Sequence, residues 1–228
     1  MCHPYQNREF GDRVLQERPI LIFGGIGGVL WGLAYLLIIR RSFMERTFGV
    51  PIVAMCANIA WEFIFSFLYP SLNPGQRIIN VVWFGLDAVI IYTYLRFGRR
   101  DFTPLLPGKL FYPMPFIMMA IAFSLIVTTV PEFNDLQGQY TAFIIDFMMA
   151  VLFVVFLLQR GSVRGQSLYV ALFKWLGSAG YAVVFYWFHP TSHFLTVLYI
   201  LTFAFNGCYA WLIYRALRAE GINPWRRF

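Results

Sequence analysis

Little in this chain is charged. Asp, Glu, Lys and Arg make up 13% of its 228 residues, and the only lysines are Lys109 and Lys174. So small a polar complement cannot solvate a globular domain of this length, which excludes an ordinary water-soluble fold. Neither lysine lies in the last apolar stretch, so the Schiff-base residue that a retinal-type receptor needs there is missing. Cysteine is rare too. Cys2, Cys56 and Cys208 lie at the terminus or in apolar segments without metal-ligand spacing, and an odd number cannot close a disulfide framework. No structural metal is expected. The apolar–polar alternation of barrel strands is absent, and no fixed-period repeat is evident, which disfavours a β-barrel and a transporter built from two internal halves.

What is present is apolar and aromatic: 59% of residues are hydrophobic and 20% carry Phe, Trp or Tyr rings. With about 20 apolar residues per crossing, the runs at 20–39, 50–69, 78–96, 113–130, 140–159, 168–187 and 193–214 predict an all-α membrane protein, a bundle of seven transmembrane helices. Residues 1–19 form a polar N-terminal segment too hydrophilic for a signal-peptide core, 20–214 the membrane domain, and 215–228 a basic tail. Pro70, Pro74, Pro104, Pro107, Pro131 and Pro190 fall in or beside the connections, and Pro113 and Pro115 suit a first helical turn. The net charge of +7 would suggest nucleic acid in a soluble chain. Here the basic residues report topology instead. Arginines follow the first, third, fifth and seventh runs, whereas the opposite connections carry Arg77 alone; the N-terminal segment adds Arg8, Arg13 and Arg18. The positive-inside rule then puts the N-terminus outside and the C-terminus in the cytoplasm.

Three carboxyl groups interrupt the apolar runs: Glu62, Asp87 and Asp146. A charge near the bilayer centre costs at least ~2.5 kcal/mol, so such acids face the protein interior, are paired, or stay protonated. Asn58 lies four residues before Glu62, on the same helix face, within reach of its carboxyl. At ~1.5 Å per residue, Glu62 and Asp87 both lie ~10–14 Å from the same membrane face and can meet across one helical hairpin. Asp146 enters from that side less deeply. Two carboxyls in one dry pocket cannot both ionise easily, so at least one is expected to remain a neutral acid, able to donate a proton. Trp61 and Trp83 lie near the two deeper acids, and ring faces attract cations. Each of these features also has a bland reading: a hydrogen bond between helices for the acids, core packing for the rings, and close helix contact for Gly24, Gly25, Gly27, Gly28 and Gly32.

Several stretches resemble the small seven-helix membrane terpene cyclases of fungal meroterpenoid and indole-diterpene pathways and their bacterial relatives acting on prenylated indoles. Asn58-Ile-Ala-Trp-Glu-Phe-Ile-Phe-Ser-Phe-Leu-Tyr-Pro70 is similar to that family's Asn-x-x-Trp-Glu-Phe segment. Trp83-Phe-Gly-Leu-Asp87 resembles its acidic third helix. Met148-Met-Ala-Val-Leu-Phe153, Gly165-Gln-Ser167 and Lys174-Trp-Leu-Gly177 resemble its fifth and sixth. The resemblance implies that Glu62 is catalytic. It also implies a second acid in the last helix, where Phe203-Ala-Phe-Asn206-Gly-Cys-Tyr209 has an amide instead. Asn206 cannot deliver a proton as a carboxylic acid does, so Asp87 becomes the second catalytic candidate. Asn58, Trp61, Trp83, Asp146, Asn206 and Tyr209 are expected to contact substrate.

The implied reaction is a protonation-initiated cyclisation of a farnesyl or geranylgeranyl chain, epoxidised or not, carried on an indole, phenolic or similar acceptor. It needs no metal and no cofactor, in keeping with the absence of Asp-Asp-x-x-Asp and Asp-x-Asp-Asp runs. The expected partners are that lipophilic prenylated substrate and membrane lipids, with no nucleic acid. The setting is the bacterial cytoplasmic membrane, or the endoplasmic reticulum in a fungus. A small-molecule or proton-coupled transporter using Glu62 and Asp87 as a relay, or a membrane scaffold, remains an alternative at this point.

Overall fold

The computed structural model describes residues 20–102 and 105–228. The expected polar segment 1–19, with Cys2 and its three arginines, and Pro104 lie outside the described residues. The described chain forms helices α1 (Gly25–Glu45), α2 (Ile52–Phe63), α3 (Pro74–Phe97), α4 (Pro113–Glu132), α5 (Gln139–Arg160), α6 (Leu168–Phe188) and α7 (His193–Ala219). A π turn, Ile20–Gly24, leads into α1, and a second, Ile64–Leu68, extends α2. Among the described residues six helices are long and apolar enough to cross a membrane, and the shorter apolar helix Ile52–Leu68 accompanies them.

The helix ends follow local chemistry. Asn73, Ser167 and Ser192 accept the N–H groups of Gln76, Val170 and Leu195 at the starts of α3, α6 and α7, and Pro74 and Pro113 occupy first-turn positions where a missing N–H costs nothing. Gly161 closes α5 at φ +62°, where a Cβ would be strained. Two helices outrun their hydropathy. α1 continues past residue 39 to Glu45, and α7 past 214 to Ala219, because helical backbone persists once the apolar run gives way to charge. In α1 the extra turn carries the Arg41–Glu45 pair, 3.1 Å apart.

Packing arranges six helices in a closed ring, α1–α3–α2–α5–α7–α6 and back to α1, with α4 outside it against α2. Glycine makes the tightest seam. A Cβ on Gly27 would lie 3.0 Å from the Gly177 carbonyl, and one on Gly180 only 2.8 Å from the Phe23 carbonyl, so α1 and α6 touch backbone to backbone. The expectation that glycines of the first helix serve close packing holds at Gly27 and Gly28.

Among the described residues the arginines, Arg77 apart, gather at one end. Arg160 donates to the Phe48 carbonyl at 2.7 Å and stands 3.3 Å from Asp101. The basic tail folds back rather than trailing: Arg227 pairs with Glu45 at 2.7 Å and donates to the Val163 and Gln166 carbonyls.

Candidate active site

The π turn after α2 shapes the site. In a π turn each N–H reaches five residues back, and Tyr69 accordingly donates to Ile64 at 2.8 Å. The Phe65 carbonyl would look to residue 70, but Pro70 has no N–H. Asn80 of α3 supplies the missing donor at 3.2 Å. Its own Oδ1 accepts from Gln76 at 2.8 Å, and Gln76 in turn accepts from the Tyr181 hydroxyl at 3.0 Å. The end of α2, α3 and α6 are thereby locked together beside the final α turn of α2, which carries Glu62.

Glu62 is 1% exposed and Asp87 3%. The Asn58 amide nitrogen lies 2.9 Å from Glu62 Oε1, 2.7 Å from Asp87 Oδ2 and 2.6 Å from the Tyr35 hydroxyl oxygen. An amide has two hydrogens for these three acceptors. Tyr35 relieves the shortage by donating its own hydroxyl to Glu62 Oε1 at 2.9 Å. Glu62 Oε2 is buried without a hydrogen-bond partner. Among the described residues no ion pair forms at either carboxyl. Two negative charges on one amide, in apolar surroundings and without a cation, would repel strongly.

Beside this cluster lies a cavity of about 510 Å³ inside the helix ring. Glu62, Asn58 and Tyr35 line it, with the rings of Trp31, Trp61, Phe65 and Trp83. Trp31, Tyr35 and Trp83 brace one another at 5.6–6.5 Å between ring centroids, and Trp61 is held by its Nε1–H donating to Thr141 at 3.0 Å. Thr141 is fixed in turn by Asp135, which accepts the Tyr140 and Thr141 N–H groups at the start of α5. The cavity extends from Glu62 to the connections at the end opposite the arginines, where Ser71, Asn73, Gln76, Gln137, Gln139 and His189 form a neutral polar rim. Among the described residues no Lys or Arg lines it.

Of the residues singled out from sequence, Glu62, Asn58, Trp61, Trp83 and Asp146 line the cavity. Asp87 does not: it lies beside Glu62 behind Asn58, whose amide bonds both carboxyls. Asn206 and Tyr209 are on α7, none of whose residues line the cavity, because α5 and α6 stand in between. Asn206 accepts from Lys174 and Tyr209 donates to Gln166 at 2.8 Å, so both positions make contacts within the protein. Sequence reasoning missed Tyr35, Trp31 and the Gln76–Asn80 relay. A tyrosine in a Leu- and Ile-rich helix carries no signal of its own, but Asn80 falls three residues before Trp83 on one face of α3 and could have been found by that spacing.

Residues 18–218 match the sequence family described as Pyr4-like transmembrane terpene cyclases. The chain is 29% identical over 185 residues to the Pyr4-family terpene cyclase mfmH of Annulohypoxylon moriforme, covering 78% of this chain and 76% of that protein. It is 30% identical over 153 residues to terpene cyclase pyr4 of Aspergillus fumigatus, 66% of this chain and 64% of that one. With Asnovolin H synthase nvfL of Aspergillus novofumigatus the identity is 29% over 157 residues, 66% and 63% of the two chains. The chain thus spans about two thirds to three quarters of the length of these curated relatives. No solved structure matches it. Since the family match takes in all seven helices, the chain belongs to the Pyr4-like transmembrane terpene cyclases, as an integral multi-pass membrane protein.

Proposed function

We propose that the protein cyclises a farnesyl or geranylgeranyl chain borne on an indole, phenolic or similar acceptor, by a protonation-initiated, class II-type mechanism. The single observation that carries this reading is Glu62 on the cavity wall, with Oε1 held by Tyr35 and Asn58 and Asp87 close behind the same amide. A carboxylic acid anchored in this way on the wall of an apolar cavity is placed to give its proton to a substrate bound there. Asp87, beside Glu62 behind Asn58, does not touch substrate.

The chain enters with its terminus towards Glu62 while the acceptor's polar groups stay among the amides of the rim. Glu62 transfers its proton to the terminal alkene carbon, or to an epoxide oxygen whose C–O bond then opens. Internal double bonds attack the resulting cation in turn, each giving its π electrons to a new C–C bond. The faces of Trp31, Trp61 and Trp83 stabilise the moving charge, and the apolar wall keeps water from quenching it.

The test is to supply membranes containing wild type or Glu62→Gln with farnesylated and geranylgeranylated indoles and phenols, with and without a terminal epoxide. Products are separated by chromatography and weighed by mass spectrometry. Wild type should give a product of unchanged mass and new retention, and Glu62→Gln should lose it by roughly 10²–10⁴-fold. Equal turnover by the two proteins would reduce Glu62 to a structural role.

A further inference from the structure

A second polar cluster lies apart from the Glu62 group. Lys174 is 1% exposed, inside the bundle, where a cation needs a reason to be. Asn206 Oδ1 accepts from its ammonium at 2.5 Å, and the rings of Phe153 and Trp31 lie 5.3 and 5.5 Å from Nζ. Asp146 Oδ1 stands 3.8 Å from Nζ, close enough for charge attraction but too far for a hydrogen bond. That oxygen is buried and makes no hydrogen bond at all. Asp146 lines the cavity, whereas Lys174 and Asn206 do not. The order from the cavity outward is therefore carboxylate, ammonium, amide.

This arrangement does more than tie helices together. A structural ion pair brings donor and acceptor into contact; here Asn206 and the two rings hold the ammonium 3.8 Å away, so Asp146, with Ser178 as its other polar neighbour, gains a neutralising charge without a contact pair. Trp31 spans the interval to the acid end: its ring is 5.6 Å from that of Tyr35, the partner of Glu62. One cavity thus has a carboxyl cluster at one wall and an ion-paired carboxyl at another.

We propose that Asp146 is the second reacting carboxyl of this cavity, an anion that draws the cation away from Glu62 and removes the terminating proton, with Lys174 and Asn206 as positioning residues behind it. The inference rests on the cyclase reading above. In the final step a C–H bond next to the last cationic carbon breaks, its electron pair becomes the new C=C bond, and the proton passes to Asp146. Glu62 is then a carboxylate and Asp146 an acid. Proton exchange with water through the rim resets both, with no net proton consumed.

A probe that needs no turnover tests the binding half: a farnesyl-trimethylammonium salt, whose fixed charge mimics the cation, titrated against the purified full chain. Asp146→Asn should bind it at least about tenfold more weakly than wild type, and Glu62→Gln within about twofold of wild type. If Asp146→Asn unfolds, the double variant Asp146→Asn/Lys174→Met removes both charges and should show the same loss. Lys174→Met should bind at least as tightly as wild type, since the carboxylate loses its neutralising neighbour. With the substrate that wild type cyclises, Asp146→Asn should still consume it but shift the product towards other double-bond isomers or water-captured alcohols. No binding by wild type, equal binding after loss of Asp146, or an unchanged product ratio overturns the proposal. Failure of the acid reading is separate: it shows as cyclisation by Glu62→Gln, whatever the ammonium titration reads.

Discussion

At the residue scale, the two donors on Glu62 Oε1 can be removed one at a time. Tyr35→Phe takes away the hydroxyl that donates to Glu62 and faces the Asn58 amide, and should lower turnover by roughly 5- to 30-fold and stability by about 1–2 kcal/mol. Asn58→Leu strands both carboxyls and should be worse in both respects, by about 1–3 kcal/mol in stability, read by thermal unfolding in lipid. Asp87→Asn removes a neighbouring charge. On the proposed mechanism Glu62 acts as a protonated acid, so activity should be present at low pH and lost as pH rises. The Asp87→Asn variant should therefore alter the pH–rate profile of cyclisation, and a profile identical to wild type would separate Asp87 from the acid's chemistry. Glu62 and Asn58 were legible from sequence because their spacing of four residues fixes a shared face. Tyr35 was not, since its role depends on α1 lying against α3, a neighbour relation that no local pattern encodes.

At the scale of elements, the π turn and the α1–α6 seam are the points where packing leaves least slack. Asn80→Leu leaves the Phe65 carbonyl without a partner and should cost about 1–3 kcal/mol, seen as a lower unfolding temperature and a weakened rim through Gln76. Gly180→Leu drives a side chain into the Phe23 backbone and should destabilise the fold more, because main chain cannot swing aside as a side chain can. The hydropathy runs located all seven helices, since about 20 apolar residues have few other uses. The π turn escaped notice even though Pro70 marks its end. A proline also terminates ordinary α-helices, so the sequence does not distinguish the two hydrogen-bonding patterns.

For the whole molecule, the ring order explains which expected site residues share the cavity. Asp146 and Trp83 face inward across the ring, while α7, linked to the interior only through α5 and α6, keeps Asn206 and Tyr209 outside. Chain order could not show this, because neighbours in the ring are often not consecutive. The segregation of arginines, Arg77 apart, at one end and neutral amides at the other leads us to propose that the arginine end is cytoplasmic. A reporter fused at the C-terminus should be active only on that side, and activity on the opposite face would invert the bundle. The aromatic cavity has a practical consequence for anyone purifying the enzyme. A chamber of about 510 Å³ with apolar walls and a wet rim is as good a berth for a surfactant tail as for a terpenoid. Solubilised samples should therefore be competitively inhibited by their own micelles, more strongly with longer linear alkyl chains, and should recover when moved into nanodiscs.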